Sequence, residues 1–485
     1  MMETLLIWMY QALPWMVVAL LSLMAVAGIG IGAVWPRFLL YGYLAIFFWM
    51  NSTSYGSLAV WATGGVYTRG SGVLLFPLVQ WALLAFWLCA RLSASYRHWQ
   101  APACNLRPWF WGWFLLLCAH LAAASFLNVT MKDALAPSGF SNLVWMGILV
   151  SVMLLSFRTR AHAVELGRFI MLAGLGRACF GLARWAFLGG DPNNIYANMN
   201  DIHIKLTFFD INDGMVCTAA FAVAAVSLFQ VNKRKQGGFW WLAEWATLGA
   251  TTLCVVLSYR RSAWIGFVLA GLIVMMRFPL KRRIQLAVLG TPVVGAGLLY
   301  AGMRRLGQTK GAGHGLSSLV YDMESKRIGP ESDRVIELKL ALADFLSKPF
   351  TGIGSWGRYT GYQMISWQEG PDGGKFLHSG VLHIALKTGL PGLALLAGTI
   401  AAFVLGARRA FRTLPPELLP LATAGACGLV FMLPDLLVGT PIPQVRTTQM
   451  LAICMALPYV GLGVAHLPAT EAAPSARRLN LVPAT

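Results

Sequence analysis

Glu331-Ser-Asp-Arg-Val-Ile-Glu-Leu338, then Lys348-Pro-Phe-Thr-Gly-Ile-Gly354, then Leu377-His-Ser-Gly380 punctuate a polar stretch running from Met303 to Leu377. The rest of the chain is nearly continuous hydrocarbon, with apolar runs at 284–302 and 380–406 on either side. A polar interruption between runs of that kind reads as one large loop outside a helical membrane bundle, and long loops are where such chains concentrate their work. It offers an arginine and a histidine at a membrane surface.

The composition agrees. Of the 485 residues, 57% are hydrophobic and 12% charged, and the mean hydropathy is +0.62. That exceeds what a soluble core can bury, so the chain reads as an all-α polytopic membrane protein. Apolar stretches fall near 14–35, 38–50, 73–90, 108–127, 141–157, 169–188, 211–231, 239–257, 262–276, 284–302, 380–406, 418–436 and 449–466. They predict twelve or thirteen spans in an N-terminal bundle over 1–302, a large loop over 303–377 and C-terminal helices over 378–467. The first 35 residues are too long for one span and too short for two, so residues 1–13 read as an interfacial lead-in, and with no small-residue cleavage site after a short apolar core they do not read as a removed signal peptide. Residues 468–485, rich in Ala, Pro and Ser, read as a disordered cytoplasmic tail.

Cationic residues flanking a span are retained on the cytoplasmic side. Connectors carrying Arg37, Arg91 to Arg107, Arg158 to Arg168, Lys233 to Lys235, Arg277 to Arg283 and Arg408 to Arg412 alternate with sparser ones holding Arg69, Lys132, Lys205, Arg260, Arg261 and Arg446. Thirteen spans satisfy this alternation and place the 303–377 loop outside. The net charge of +19 is thereby explained by topology, and no nucleic-acid partner is called for. Eight cysteines, scattered singly and mostly within apolar runs, suggest neither a disulfide framework nor a metal site.

Inside the loop, Val335, Leu338, Leu342 and Phe345 recur at helical spacing behind Ser332 and Asp333, which predicts an amphipathic helix over 332–347 ended by Pro349. Its apolar face would lie on the bundle or on the membrane surface, with Arg334 at its edge. Gly352-Ile-Gly-Ser-Trp-Gly357 matches a dinucleotide fingerprint literally but lacks the strand before it, so it reads as a glycine-rich turn passing close to the bundle. Arg260 and Arg261 close one span, Arg177 and Arg184 share a face of another, and His378 stands at the junction of loop and span. Charge in a bilayer is costly and is found with partners. Arginine clusters suit phosphate or diphosphate, while a neutral imidazole suits proton removal from a hydroxyl. Each also has a plain structural reading, as a snorkelling, interhelically paired or hydrogen-bonded residue.

Taken in order, these residues resemble the O-antigen ligase and polymerase superfamily of bacterial inner-membrane glycosyltransferases. Arg261-Ser-Ala-Trp264 is similar to the family's Ser-Arg-x-Ala-Trp/Leu element, with Arg260 where serine is usual. Arg334, the helix after it and Pro349-Phe-Thr-Gly-Ile-Gly354 resemble its arginine, helix and Pro-x-x-Gly-x-Gly. His378-Ser-Gly-Val-Leu382 and Gly389-Leu-Pro-Gly392 resemble its His-Asn-x-x-Leu and Gly-Leu-x-Gly, with Ser379 replacing asparagine. Asn212 sits where members carry an asparagine opening a span.

The resemblance covers roughly residues 200–400 and implies a GT-C-like fold. It implies transfer of a glycan from undecaprenyl diphosphate to an acceptor hydroxyl, on lipid A core, another repeat unit or a protein, at the periplasmic face and without metal, ATP or another cofactor. His378 would then be the general base or acceptor-orienting group, with Arg261 and Arg334 as diphosphate clamps. Arg260, Arg177, Arg184 and Asn212 would line the donor path. The rival reading is a transporter or flippase of the lipid-linked glycan. A carrier of that kind shows paired halves with broken helices, and the sequence has no internal repeat.

Overall fold

The computed structural model describes residues 27–50, 66–69, 75–191, 205–208, 210–230, 238–308, 330–365, 368 and 372–467. The expectations for residues 1–13, for Lys233 to Lys235 and for the 468–485 tail lie outside them. Every regular element among the described residues is helical.

The helices, in chain order, are α1 (Pro36–Trp49), α2 (Leu78–Tyr96), α3 (Arg107–Phe126), α4 (Ser141–Ser156), α5 (Arg160–Phe187), α6 (Ile211–Gln230) and α7 (Gly238–Val256). They continue with α8 (Arg261–Met275), α9 (Leu280–Gln308), α10 (Pro330–Ser347), α11 (Gly380–Thr413), α12 (Leu419–Phe431), α13 (Leu433–Val438) and α14 (Val445–Val464). Nine helical segments among the described residues are long and apolar enough to cross a membrane, α12 and α13 counting together as one. Residues 27–34 and α1 make a tenth if that pair, bent by 111°, is a single span. The sequence expectation of twelve or thirteen is met only by adding α4 and α8. These have 16 and 15 residues, about 24 and 22 Å at 1.5 Å per residue, short of a hydrocarbon core of about 30 Å. The chain is a multi-pass membrane protein.

α6 and α14 form the centre of the bundle, with α5, α7, α12 and α4 packed around them. Small residues permit this. A Cβ on Gly174 of α5 would stand 2.3 Å from the Ala220 Cβ of α6, and one on Gly425 of α12 would stand 2.4 Å from the Cys454 carbonyl of α14. Without a hydrophobic driving force between helices in lipid, such close approach is what holds them. α9 lies at the periphery against α7 and α8 and runs on to Gln308, past the expected start of the loop at 303.

One end of the bundle collects its polar groups. Arg446, at the start of α14, is wholly buried and pairs with Asp210 at 2.7 Å and Asp213 at 2.8 Å. Arg177 grips both oxygens of Asp213, each at 3.1 Å, and donates to the Trp49 carbonyl at 3.1 Å. The Phe47 carbonyl accepts from Arg446 Nε at 2.9 Å. This network fastens α1, α5, α6 and α14 together.

Helix α10 begins at Pro330, two residues ahead of the expected start. Its residues Ile336, Leu342 and Leu346 are exposed, whereas Glu337 and Ala341 are fully buried. Of the expected stripe, Val335, Leu338 and Phe345 are half-buried and Leu342 is exposed, and a small separate core of Ala341, Tyr359, Ile365, Leu377 and Leu386, against which Leu338 packs, joins α10 and the following loop to α11.

Candidate active site

Two tight chain reversals position the site. The first follows α7, where Tyr259 adopts a left-handed φ of +52° and reverses the chain into α8. The Trp264 indole donates to the Val256 carbonyl at 3.0 Å and closes the turn. Arg260 then takes the N-cap position of α8 in an extended conformation and Arg261 its first helical position; both are partly exposed.

The second is the start of α11. Ser379 caps it by accepting from the Leu382 amide at 3.3 Å, which fixes the preceding His378 just outside the helix. Gly380 lets this end approach α13. A Cβ there would meet the Leu436 side chain at 2.8 Å and Pro441 at 3.0 Å. That approach brings Asp435, one residue before Leu436, into the neighbourhood of His378.

Asp435 is the meeting point. Its Oδ1 lies 3.9 Å from Arg260 Nη2, and its carboxyl feels the charges of Arg260, Asp210, His378 and Arg334 together. Asp210 joins this group to the buried network through Arg446 and caps α6, accepting from the Asn212 amide at 3.0 Å and its side-chain amide at 2.8 Å. A crevice lined by Asp210, Ser258 and Arg260 runs from here between α6, α7 and α8.

On its other side His378 meets α10. Its backbone amide and Nδ1 both contact Glu337 Oε2, at 3.0 and 2.9 Å. The imidazole remains 21% exposed while the carboxylate is 0% exposed. Gln368 holds the other oxygen, its Nε2 donating to Oε1 at 2.7 Å. Burial and the Glu337 carboxylate push the Tyr359 hydroxyl well above its ordinary range, so it stays a neutral neighbour. Arg334 precedes Glu337 by one helical turn and is half-buried.

The residues expected from sequence thus separate into two groups. His378, Arg334 and Arg260 share the electrostatic neighbourhood of Asp435, and Arg261 follows Arg260 directly. Arg177 and Arg184 are enclosed in ion pairs, Arg177 with Asp213 and Arg184 with Asp191 at 3.3 Å. Asn212 is fully buried, spending its side-chain amide on Asp210. Sequence reasoning passed over Glu337, Asp435, Asp210 and Asp213. A lone Asp inside the apolar run 418–436 was a signal for Asp435, because intramembrane carboxylates are rare and functional. No pattern of spacing pointed to Glu337, whose partners lie 31 and 41 residues away.

An anionic ligand entering this region meets guanidinium groups on α8 and α10, while a hydroxyl at the imidazole edge meets the nitrogen turned away from Glu337. Residues 246–397 match the family model for O-antigen ligase, a stretch that runs from within α7 to within α11 and includes Arg260, Arg261, Arg334, Glu337 and His378. Asp210, Asp435 and Arg446 lie outside it. No curated protein matches the chain.

Proposed function

We propose that this polytopic member of the O-antigen ligase and polymerase superfamily transfers a glycan from undecaprenyl diphosphate to a sugar hydroxyl, on lipid A core or on a further repeat unit, at the outer face of a bacterial inner membrane. The observation that carries the reading is that His378, just ahead of Gly380 where α11 closes on α13, is held by Glu337 at 2.9 Å one turn after Arg334 on α10, while Asp435 of α13 lies 3.9 Å from Arg260. It joins an arginine set suited to diphosphate with the imidazole of the matched segment.

In the proposed reaction the acceptor oxygen bonds to the anomeric carbon as its proton passes to His378 Nε2. The bond from that carbon to the diphosphate oxygen breaks, and the electron pair leaves with the lipid diphosphate. Fixed guanidinium groups of Arg260, Arg261 and Arg334 stabilise the charge that builds there. Asp435 holds Arg260 in place and keeps the cationic set from repelling itself apart.

The experiment is His378→Ala, with transfer and the lipid-linked pool followed together. General-base assistance is worth about 10² to 10⁴ in rate. The variant should insert and fold, lose nearly all product and accumulate flipped donor. Wild-type transfer by His378→Ala would end the reading. A pool that collects on the cytoplasmic leaflet in a deletion strain would favour a flippase instead.

A further inference from the structure

Glu337 is a fully buried carboxylate whose described partners are the His378 amide, the His378 ring and the Gln368 side chain, with the Tyr359 hydroxyl at 3.5 Å. Among the described residues, no lysine or arginine forms an ion pair with it. Burying a carboxylate without a cation is expensive, so such a group needs a reason. The histidine supplies one.

A carboxylate oxygen can only accept, so the 2.9 Å contact places the proton of a neutral imidazole on Nδ1 and its lone pair on Nε2. The same Oε2 also takes the His378 backbone amide at 3.0 Å. Both ring and backbone are therefore referenced to one atom, which fixes the ring's direction as well as its tautomer. Gln368 fixes the carboxylate in turn. It donates to Oε1 while its own Oε1 accepts from the Gly374 amide at 2.9 Å.

We propose that Glu337 is the positioning residue of the reaction: it orients His378 as a base and supplies the counter-charge for the imidazolium that forms when Nε2 takes the acceptor proton. This rests on His378 acting as the base. When Nε2 takes the acceptor proton the ring becomes an imidazolium facing a carboxylate, so the attraction between them grows toward the barrier. Arg334 stands three residues earlier on the same helix, so α10 carries a donor clamp and the orienter of the base together.

The test uses full-length purified protein with lipid-linked donor, measuring kcat, donor KM and melting temperature for Glu337→Gln, Glu337→Asp and His378→Ala. Glu337→Gln keeps the shape and an acceptor oxygen for His378 but removes the charge, exchanging the acceptor that faces Gln368 Nε2 for a donor. It should lower kcat on the order of 10²-fold while leaving donor KM and melting temperature near wild type. Glu337→Asp retains the charge and should recover part of that loss. A kcat within twofold of wild type for Glu337→Gln overturns the proposal, and so does a loss that appears only in donor KM or follows a fall in melting temperature. An aspartate no better than glutamine also overturns it, since charge would then not be what matters. If Glu337→Gln is active and His378→Ala is dead, only the positioning role fails; if His378→Ala is active, the base reading itself fails.

Discussion

The Leu390 amide donates to the Pro349 carbonyl at 2.7 Å, although in an unbroken helix it would donate to Leu386, four residues back. The Leu386 carbonyl accepts instead from the Ile353 amide at 2.8 Å. The loop after α10 is thus inserted into the hydrogen-bond ladder of α11, and the break is made at Gly389, with φ +68° and ψ −159°. This explains why the Pro349 to Gly354 and Gly389 to Gly392 sequences go together: each satisfies backbone groups that the other leaves open.

Gly389→Ala should therefore be costly. Its Cβ would lie 2.5 Å from the Phe350 carbonyl, in a backbone region that only glycine adopts readily. Strain alone predicts about 1–3 kcal/mol, read as a lower thermal unfolding midpoint. Transfer should fall further than stability does, because α10 and its Arg334 and Glu337 are tied to α11 through this contact. Unchanged stability and activity would show that the insertion is incidental.

The buried network gives a second prediction. Asp213 is shared by Arg177 and Arg446, all three essentially without exposure. Asp213→Ala removes the carboxylate that Arg177 grips with both oxygens and leaves Arg446 with Asp210 as its remaining acid, and breaking buried pairs in this way costs about 3–5 kcal/mol. The variant should express poorly and resist purification as a stable species. Recovery of folded, active protein at wild-type yield would argue that the network is dispensable.

How far this was legible in the sequence depends on the kind of order involved. The membrane helices and α10 follow from apolar run length and from the spacing of Val335, Leu338, Leu342 and Phe345, which are local signals. The outward turn of Leu342 and Leu346 was left open, since periodicity defines a face without saying what covers it. The glycine-rich turn at 352–357 was readable as a close approach to the bundle, and Gly352, with φ +62°, indeed abuts the Leu386 carbonyl. Arg177 and Arg184 were visible as membrane charges, yet their partners Asp213 and Asp191 were not. A pairing between residues on different elements, such as Arg446 with Asp213, leaves no trace in spacing. His383, five residues after His378, is turned elsewhere and its Nε2 contacts the Gly139 carbonyl at 3.0 Å in a sealed environment. Its alanine variant would lose stability and is a poor control.

Sidedness can be checked directly. The alternation of basic connectors puts Gly373 outside and Lys281 to Arg283 inside. Single cysteines at Gly373 and Lys281, in a background lacking the native cysteines, should react and fail to react, respectively, with a membrane-impermeant thiol reagent added to spheroplasts. Labelling at Lys281 with protection at Gly373 would invert the topology and separate His378 from any outer-leaflet donor.

The last prediction concerns what holds the diphosphate. If guanidinium groups do so, geometry should matter as well as charge, because a lysine offers a point charge where arginine offers a planar fork. Arg334→Lys and Arg261→Lys should each reduce transfer by at least tenfold, on the scale of about 1.4 kcal/mol per decade in rate, with folding intact because both positions are partly exposed at helix starts. Arg260→Lys should be additionally sensitive, since Arg260 also faces Asp435 at 3.9 Å and a shorter reach for the diphosphate would compete with that contact. Transfer by the wild-type protein should meanwhile persist in EDTA and without nucleotide. A strict divalent-metal requirement, or full activity in all three lysine variants, would move the diphosphate away from these arginines and leave them as residues that set topology and packing.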